Sequence, residues 1–302
     1  MKAALEYPLS VLILSLAALY LSERIGAFLG AIRVNINEEE RKNLGLILSA
    51  TLTLMSLIIG FTFSMAISRY DQRKNLEVAE ANAIGTEYTR AGLLPDQDAA
   101  LVRKILVSYL DQRILFYETR DDPKLLTIDA TTDRLEASMW SAVKVPAGNQ
   151  PTPVISLAVA GMNDVLNSRT DTEGAWLNRI PSEAWGLMAV VAISAHLLIG
   201  FDTRRTEASR ALLIVLPMAV SISFFLIADI DSPRRGIIHI HPENLDSLSR
   251  SFHENDRHQN TMSTMRPDIA LVAFERSPEL ALRNKRESLI ICILSPETRI
   301  HL

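Results

Sequence analysis

Residues 44–70 read LGLILSATLTLMSLIIGFTFSMAISRY, and no charge interrupts them before Arg69. A helix rises about 1.5 Å per residue, so such a run crosses a ~30 Å hydrocarbon core with length to spare. The span is not built for lipid alone. Thr51, Thr53, Ser56, Thr62, Ser64 and Ser68 set hydroxyls along it, and Gly60 interrupts it. Leu57, Phe61 and Met65 follow one another at one-turn intervals, so one face carries bulky apolar side chains. Two arrangements account for that mixture. One is close packing inside a helical bundle, where small and hydroxyl residues are common. The other is the lining of a narrow passage. The pattern by itself leaves both open.

The remaining apolar residues are clustered in the same way. They make up 48% of 302 residues, and the clustering rather than the average marks a membrane protein. Tyr7–Ile32 reads as a first span. No small-x-small cleavage site follows Leu21 and apolar sequence resumes at once, which argues against a secretory signal. Glu23 and Arg24 fall near one membrane surface, where long side chains reach the headgroups, or else form an ion-contacting pair inside the bundle. Trp185–Phe201 is the third span, with Trp185 as an interfacial anchor. His196 within it is either an intramembrane functional group or a hydrogen-bonded packing residue. Ala211–Ala228 is the fourth span, and Pro217 removes one helix donor there.

Between the second and third spans the pattern is helical and polar. Lys42–Leu94 contains no proline, so the second helix continues past the membrane, with Val78, Ala81 and Tyr88 on its inner side and Gly85 and Gly92 as first stops. Asp96–Glu118 follows as an amphipathic helix capped by Asp96, with Leu101, Ile105, Tyr109 and the neighbouring Leu110 and Ile114 on its apolar side. Asp121-Asp122-Pro123 reads as a turn, Thr132–Val145 and Val154–Asn167 as helices, and PAGNQPTP (146–153) as the loop between them. Glu38–Glu40 point in different directions on a helix and read as a solvated face. The expected fold is all-α: an integral membrane protein with four transmembrane helices and a helical extramembrane insert between the second and third. Its parts are two spans in 1–70, the insert in 71–182, two spans in 183–230 and a partly flexible segment in 231–302, polar from His253 to Arg266. The short apolar run Leu289–Leu294 cannot span a bilayer.

Charge excludes little. The formal net charge of −4, with no basic stripe interleaved with aromatics, excludes a nucleic-acid partner. One cysteine, Cys292, excludes an internal disulfide. Lys and Arg are nearly balanced across the two sides: Lys2, Arg69, Arg73, Lys74, Arg179, Arg234 and Arg235 against Arg33, Arg41, Lys42, Arg204, Arg205 and Arg210.

Three stretches carry a resemblance. GFTFSMAISRYDQRKNLEVAEANAIGTEY (60–88), RAGLLP (90–95) and IADIDSPRRGIIHIHPENL (227–245) resemble the bestrophin-like family of bacterial membrane proteins. The layout matches over about residues 1–250. That family is more loosely similar to true bestrophins, which are pentameric anion channels with a glycine-aromatic pair in the second span and a basic-aromatic step at its end. Gly60-Phe61 and Arg69-Tyr70 look similar. The resemblance implies a homo-oligomer, a pentamer, in the inner (plasma) membrane with the helical insert in the cytoplasm. It implies a pore lined by the second helices, with a hydrophobic neck at Leu57 and Phe61, flanked by Thr53 and Met65. It implies inorganic anions such as chloride as the cargo. Arg69 and Arg73 at the mouth favour anions if they face the pore. One departure stands out. True bestrophins bind calcium through an acidic cluster after the fourth span, whereas only Asp229 and Asp231 stand here, followed by two arginines. No calcium site, other metal or cofactor is therefore carried over.

Two other classes compete. A membrane-anchored scaffold or sensor would use the helical insert to bind a protein partner and needs no pore. An enzyme is the weakest reading: there is no Gly-x-Ser-x-Gly elbow and no phosphate-cradling glycine loop. Ile237–Ile240 alternates as a short strand or extended segment. His239 and His241 would share a face there, with Glu243 and Asp246 nearby, but a metal site needs three or four converging ligands.

Overall fold

The computed structural model describes residues 7–32, 37–203 and 212–264. The chain divides into two compact units, Met1–Leu248 and Ser249–Leu302. Of the second unit, the described residues form one end of a helix. The loop basic residues Arg33, Arg204, Arg205 and Arg210, as well as Lys2, Cys292 and the run Leu289–Leu294, lie outside the described residues.

The described residues are 89% helical, with no strand among them. Helix α1 is Pro8–Ile32 and α2 is Glu38–Arg90, a single rod of 53 residues that ends in a 3-10 turn at Ala91–Leu93. Then come α3 (Asp96–Glu118), α4 (Asp122–Asn149), α5 (Pro153–Leu177), α6 (Ser182–Thr203), α7 (Leu212–Asp231) and α8 (Glu243–Thr264). Four helical segments are long and apolar enough to cross a membrane; they contain α1, the first half of α2, α6 and α7. The protein is an all-α integral membrane protein with α3–α5 as a helical insert between its second and third spans.

The spans share one apolar core. Val11 and Leu19 of α1, Met55 and Ala66 of α2, Met188, Ala192 and Ala195 of α6, and Val220, Phe224 and Ile227 of α7 are buried together. Helices α1 and α6 touch backbone to backbone, which requires glycine on both. A Cβ on Gly200 would lie 2.0 Å from the Glu23 carbonyl oxygen, and one on Gly26 2.0 Å from that of Leu197. Trp185 does not reach out as an anchor; it is buried edge-on against Phe224, 6.4 Å between centroids. Glu23 and Arg24 part company. Glu23 is buried in the bundle, whereas Arg24 is exposed, 5.8 Å over the Tyr20 ring. His196 is fully buried and donates from Nδ1 to the Ala192 carbonyl of its own helix at 2.7 Å.

Outside the membrane the helices are longer than composition suggests. Helix α2 runs through Gly85, where the Leu248 side chain packs against the missing Cβ. Helix α4 starts at Asp122 rather than after a turn, because Pro123 falls in its first turn, where no N–H is needed. It also continues through Pro146, and Gln150 N–H still reaches the Pro146 carbonyl at 2.9 Å. The expected loop therefore shrinks to residues 150–152. In α3 the buried stripe is Val102, Leu106, Tyr109 and Arg113; Leu101 is exposed, and Pro95, not Asp96, stands at the N-cap. The polar stretch from His253 is helical as far as Thr264, not irregular. No glycine or proline occurs between Glu243 and Arg266, and the start of α8 is tied down by a buried carboxylate of α2.

Candidate functional site

Helix α2 stands apart from the other spans. Of its most apolar 18-residue window only 6% is buried inside the chain, against 28% to 50% for the others. Thr53, Leu57, Phe61 and Met65 are all exposed, Leu57 and Phe61 by 52% and 67%. Gly60 beside them faces open space: a Cβ there would meet nothing within 4 Å. Ser64, Ser68, Asp71 and Asn75 continue downward as exposed residues along one shallow groove. Leu57, Phe61, Ser64, Ser68, Asp71 and Asn75 follow at steps of four and three, so they form one stripe along the helix.

The hydroxyls of α2 fall into two groups. Those of Ser49, Thr51, Thr53, Ser56 and Thr62 each donate to a carbonyl of their own helix at 2.8–2.9 Å. Such back-bonding satisfies a hydroxyl without a partner. Ser64 and Ser68 have no such bond among the described residues, and their hydroxyls stand free on the stripe.

The opposite side of α2 holds what the sequence hides. Arg73, Glu77, Glu80 and Glu87 are all buried, at spacings that place them on one face. Arg73 is 1% exposed. Its guanidinium donates to the Ala175 and Asn178 carbonyls at 3.1 Å and to those of Ile230 and Asp231 at 3.4 Å. It thereby caps the C-terminal ends of α5 and α7, where orphan carbonyls and the helix dipole favour a cation. Arg73 therefore does not stand at the mouth on the exposed side. Arg69 is half-buried, with Nη2 3.7 Å from the Met65 sulfur. Val78, expected on the inner side, is 36% exposed instead.

Glu77 accepts from the Asn244 and Leu245 backbone N–H groups at 2.9 and 3.0 Å and from the Asn244 side chain at 2.7 Å, which caps α8. Glu80 is paired with Arg113 of α3 and also accepts from Tyr117 at 3.0 Å and Thr172 of α5 at 3.2 Å. Arg113 in turn reaches Glu173 at 3.1 Å, and Arg169 joins Glu173, Asp133 and Glu136 within 2.9 Å. Burial would depress the Arg113 pKa, but the Glu80 carboxylate holds it above its ordinary value. Glu87, about 25 Å beyond Tyr70 along the axis, has neither carboxylate oxygen hydrogen-bonded and lies against Gly161 of α5. Burial pushes its pKa up to about 8, with Arg90 opposing and Asp164 adding to the rise. Four charges at helical spacing normally mean a solvated face. The signal that they are buried is the matching set of cations and hydroxyls on α3 and α5.

The segment after α7 is also structural. Asp229 accepts from the Ile237 and Ile238 N–H groups at 2.7 and 2.8 Å. Asp231 accepts from Ile180 N–H at 3.1 Å. Arg234 donates to the Phe116 and Thr119 carbonyls at 2.7 and 3.0 Å, its guanidinium 4.5 Å over the Trp176 ring. Both aspartates are thus taken up by backbone donors. His239 and His241 sit on an extended segment with ring centroids 4.2 Å apart, and the Arg120 guanidinium lies 3.4 Å from His239. A cation in that place opposes a metal, and no cluster of three or more ligating side chains occurs among the described residues.

Comparison with known proteins agrees with this architecture. A family model described as the Bestrophin-like domain matches residues 23–245. Crystal structures of a bacterial bestrophin homologue from Klebsiella pneumoniae are similar in fold. One variant of it has a TM-score of 0.58 at 14% identity, over 80% of this chain and 98% of that one. A second crystal structure of the homologue gives 0.57 at 14% identity, over 80% and 97%. No curated protein matches.

Proposed function

Because the chain belongs to the bestrophin-like family, we propose that it is one subunit of an oligomeric ion channel of the inner membrane, a pentamer with the helical insert in the cytoplasm. The second helices of the subunits line the passage, and Leu57 and Phe61 form its hydrophobic neck. One observation carries the reading: among the described spans α2 is the least buried, and its exposed face carries Gly60, which faces open space, and the free hydroxyls of Ser64 and Ser68. Polar groups are expensive against lipid, so that stripe needs other subunits or water. Apolar side chains in a narrow constriction gate by dewetting. Below them, hydroxyls on the stripe can replace part of an ion's hydration.

The anion expectation rested on the resemblance to bestrophin anion channels and on Arg69 and Arg73, and Arg73 is engaged inside the chain. Its support from the chain's own residues is therefore reduced to the half-buried Arg69, beside the family resemblance.

The test is ion flux into liposomes that hold the purified protein, with Phe61→Ala beside the wild type. Widening the neck should raise flux severalfold. Unchanged flux in an otherwise active channel would remove Phe61 from the constriction. No flux from either form, in protein shown to be folded and oligomeric, would favour a membrane-anchored scaffold whose insert binds another protein.

A further inference from the structure

From the placement of charge around α2 we infer that Asp71 sets the ion preference of the passage and makes it favour cations. This rests on the channel reading above. Helix geometry turns about 100° per residue. Asp71 is ten residues from Phe61 and fourteen from Leu57, which puts it about 80° from the first and 40° from the second. It is exposed and sits in the groove that also holds Ser64, Ser68, Gln72 and Asn75. It is the one charged residue on the stripe from Leu57 to Asn75.

The neighbouring cations do not offset it. Arg73 lies about 200° round the helix from Asp71, buried against four carbonyls. Arg69 is half-buried, lies about 200° round the helix from Asp71, and has its Nη2 3.7 Å from the Met65 sulfur. Lys74 is exposed, but it falls about 60° from Asp71 on the side away from Leu57 and Phe61. Asp71 has no ion pair among the described residues. In a symmetric assembly each subunit contributes one such carboxylate, so the passage acquires an acidic ring just below the neck. Acidic rings select cations, and a lining of one sign raises the local concentration of counter-ions by about 10- to 1,000-fold.

The experiment is single-channel or macroscopic current in bilayers with the purified protein under a KCl gradient. Wild type, Asp71→Asn, Asp71→Glu, Asp71→Arg and Lys74→Asn are compared. The wild type should pass potassium over chloride. Asp71→Asn should lower the potassium-to-chloride permeability ratio by about tenfold or more, Asp71→Glu should keep it, and Asp71→Arg should invert it. Lys74→Asn should leave it nearly unchanged. A role in folding alone would change the amount of current but not this ratio. A wild type that prefers chloride, or a ratio untouched by Asp71→Asn and Asp71→Arg, would overturn the inference and leave the channel reading standing. Absence of current in every form, with Phe61→Ala included, would overturn both.

Discussion

Replacing Arg73 by Met removes a buried guanidinium and keeps the length of its stem. Four carbonyls lose their donor: Ala175 and Asn178 at 3.1 Å, Ile230 and Asp231 at 3.4 Å. Hydrogen bonds to a charged group contribute about 1.5–3 kcal/mol each. Counting the two shorter ones alone gives roughly 3–6 kcal/mol. At about 2–4 °C per kcal/mol for a large chain, the melting temperature should fall by roughly 6–24 °C. The assay is the fraction of folded protein that survives heating in mild detergent, read by size-exclusion chromatography. Permeability ratios are measured in parallel on material that stays folded. If Arg73 stood at a pore mouth, the result would be reversed: stability near wild type and a changed ion preference. A melting shift of less than about 2 °C joined to an altered permeability ratio would refute the inward placement.

Two further outcomes follow from the packing. Gly200→Ala drives a Cβ to 2.0 Å from the Glu23 carbonyl oxygen, so α1 and α6 must separate and the protein should lose about 1–3 kcal/mol; Gly186→Ala, with nothing within 4 Å, should melt like wild type in the same detergent assay. Glu87 is an acid whose folded pKa, about 8, is raised above its ordinary value of 4.5. The folded state therefore holds the extra proton between those values, and its stabilising effect is complete below about pH 4.5 and is lost as pH rises through about 8. Melting temperatures from pH 5 to 9 should show that decline in the wild type and a flatter profile in Glu87→Gln; parallel profiles would exclude Glu87 as its source.

Hydropathy and helical spacing make the membrane architecture legible, because a run of about 25 uncharged residues has few alternatives to crossing a bilayer. The apolar face of Leu57, Phe61 and Met65 is legible on helical spacing and is exposed, but the spacing does not distinguish a packing face from the lining of a passage. What misleads is charge. The residues Arg73, Glu77, Glu80 and Glu87 read as solvent-facing by composition, yet they form the inner face of α2 beyond the membrane. Their partners, Arg113 and Thr172, are 33 and 92 residues away from Glu80. No local pattern shows that pairing. The helix lengths were underestimated for a related reason: Pro123 and Pro146 are breakers in general, but Pro123 sits in a first turn, where the N–H has no helical partner to lose, and Pro146 costs one bond close to the end of its helix.

The orientation of α2 nevertheless follows from arithmetic that the sequence contains. From Phe61 to Arg73 is twelve residues, or about 120° after whole turns, whereas Asp71 and Arg73 differ by about 200°. The two charges occupy nearly opposite faces, so whatever hides one exposes the other. The carbonyl ends of α5 and α7 decide which, because they need a cation and would repel a carboxylate. With Arg73 held by four carbonyls, α2 cannot rotate by one residue without orphaning them. That lock fixes Leu57, Phe61, Ser64, Ser68 and Asp71 on the outward face. On the proposed channel reading, the buried arginine acts on the passage through helix register rather than through its own charge, and the residue that this register turns outward is Asp71, two positions before it.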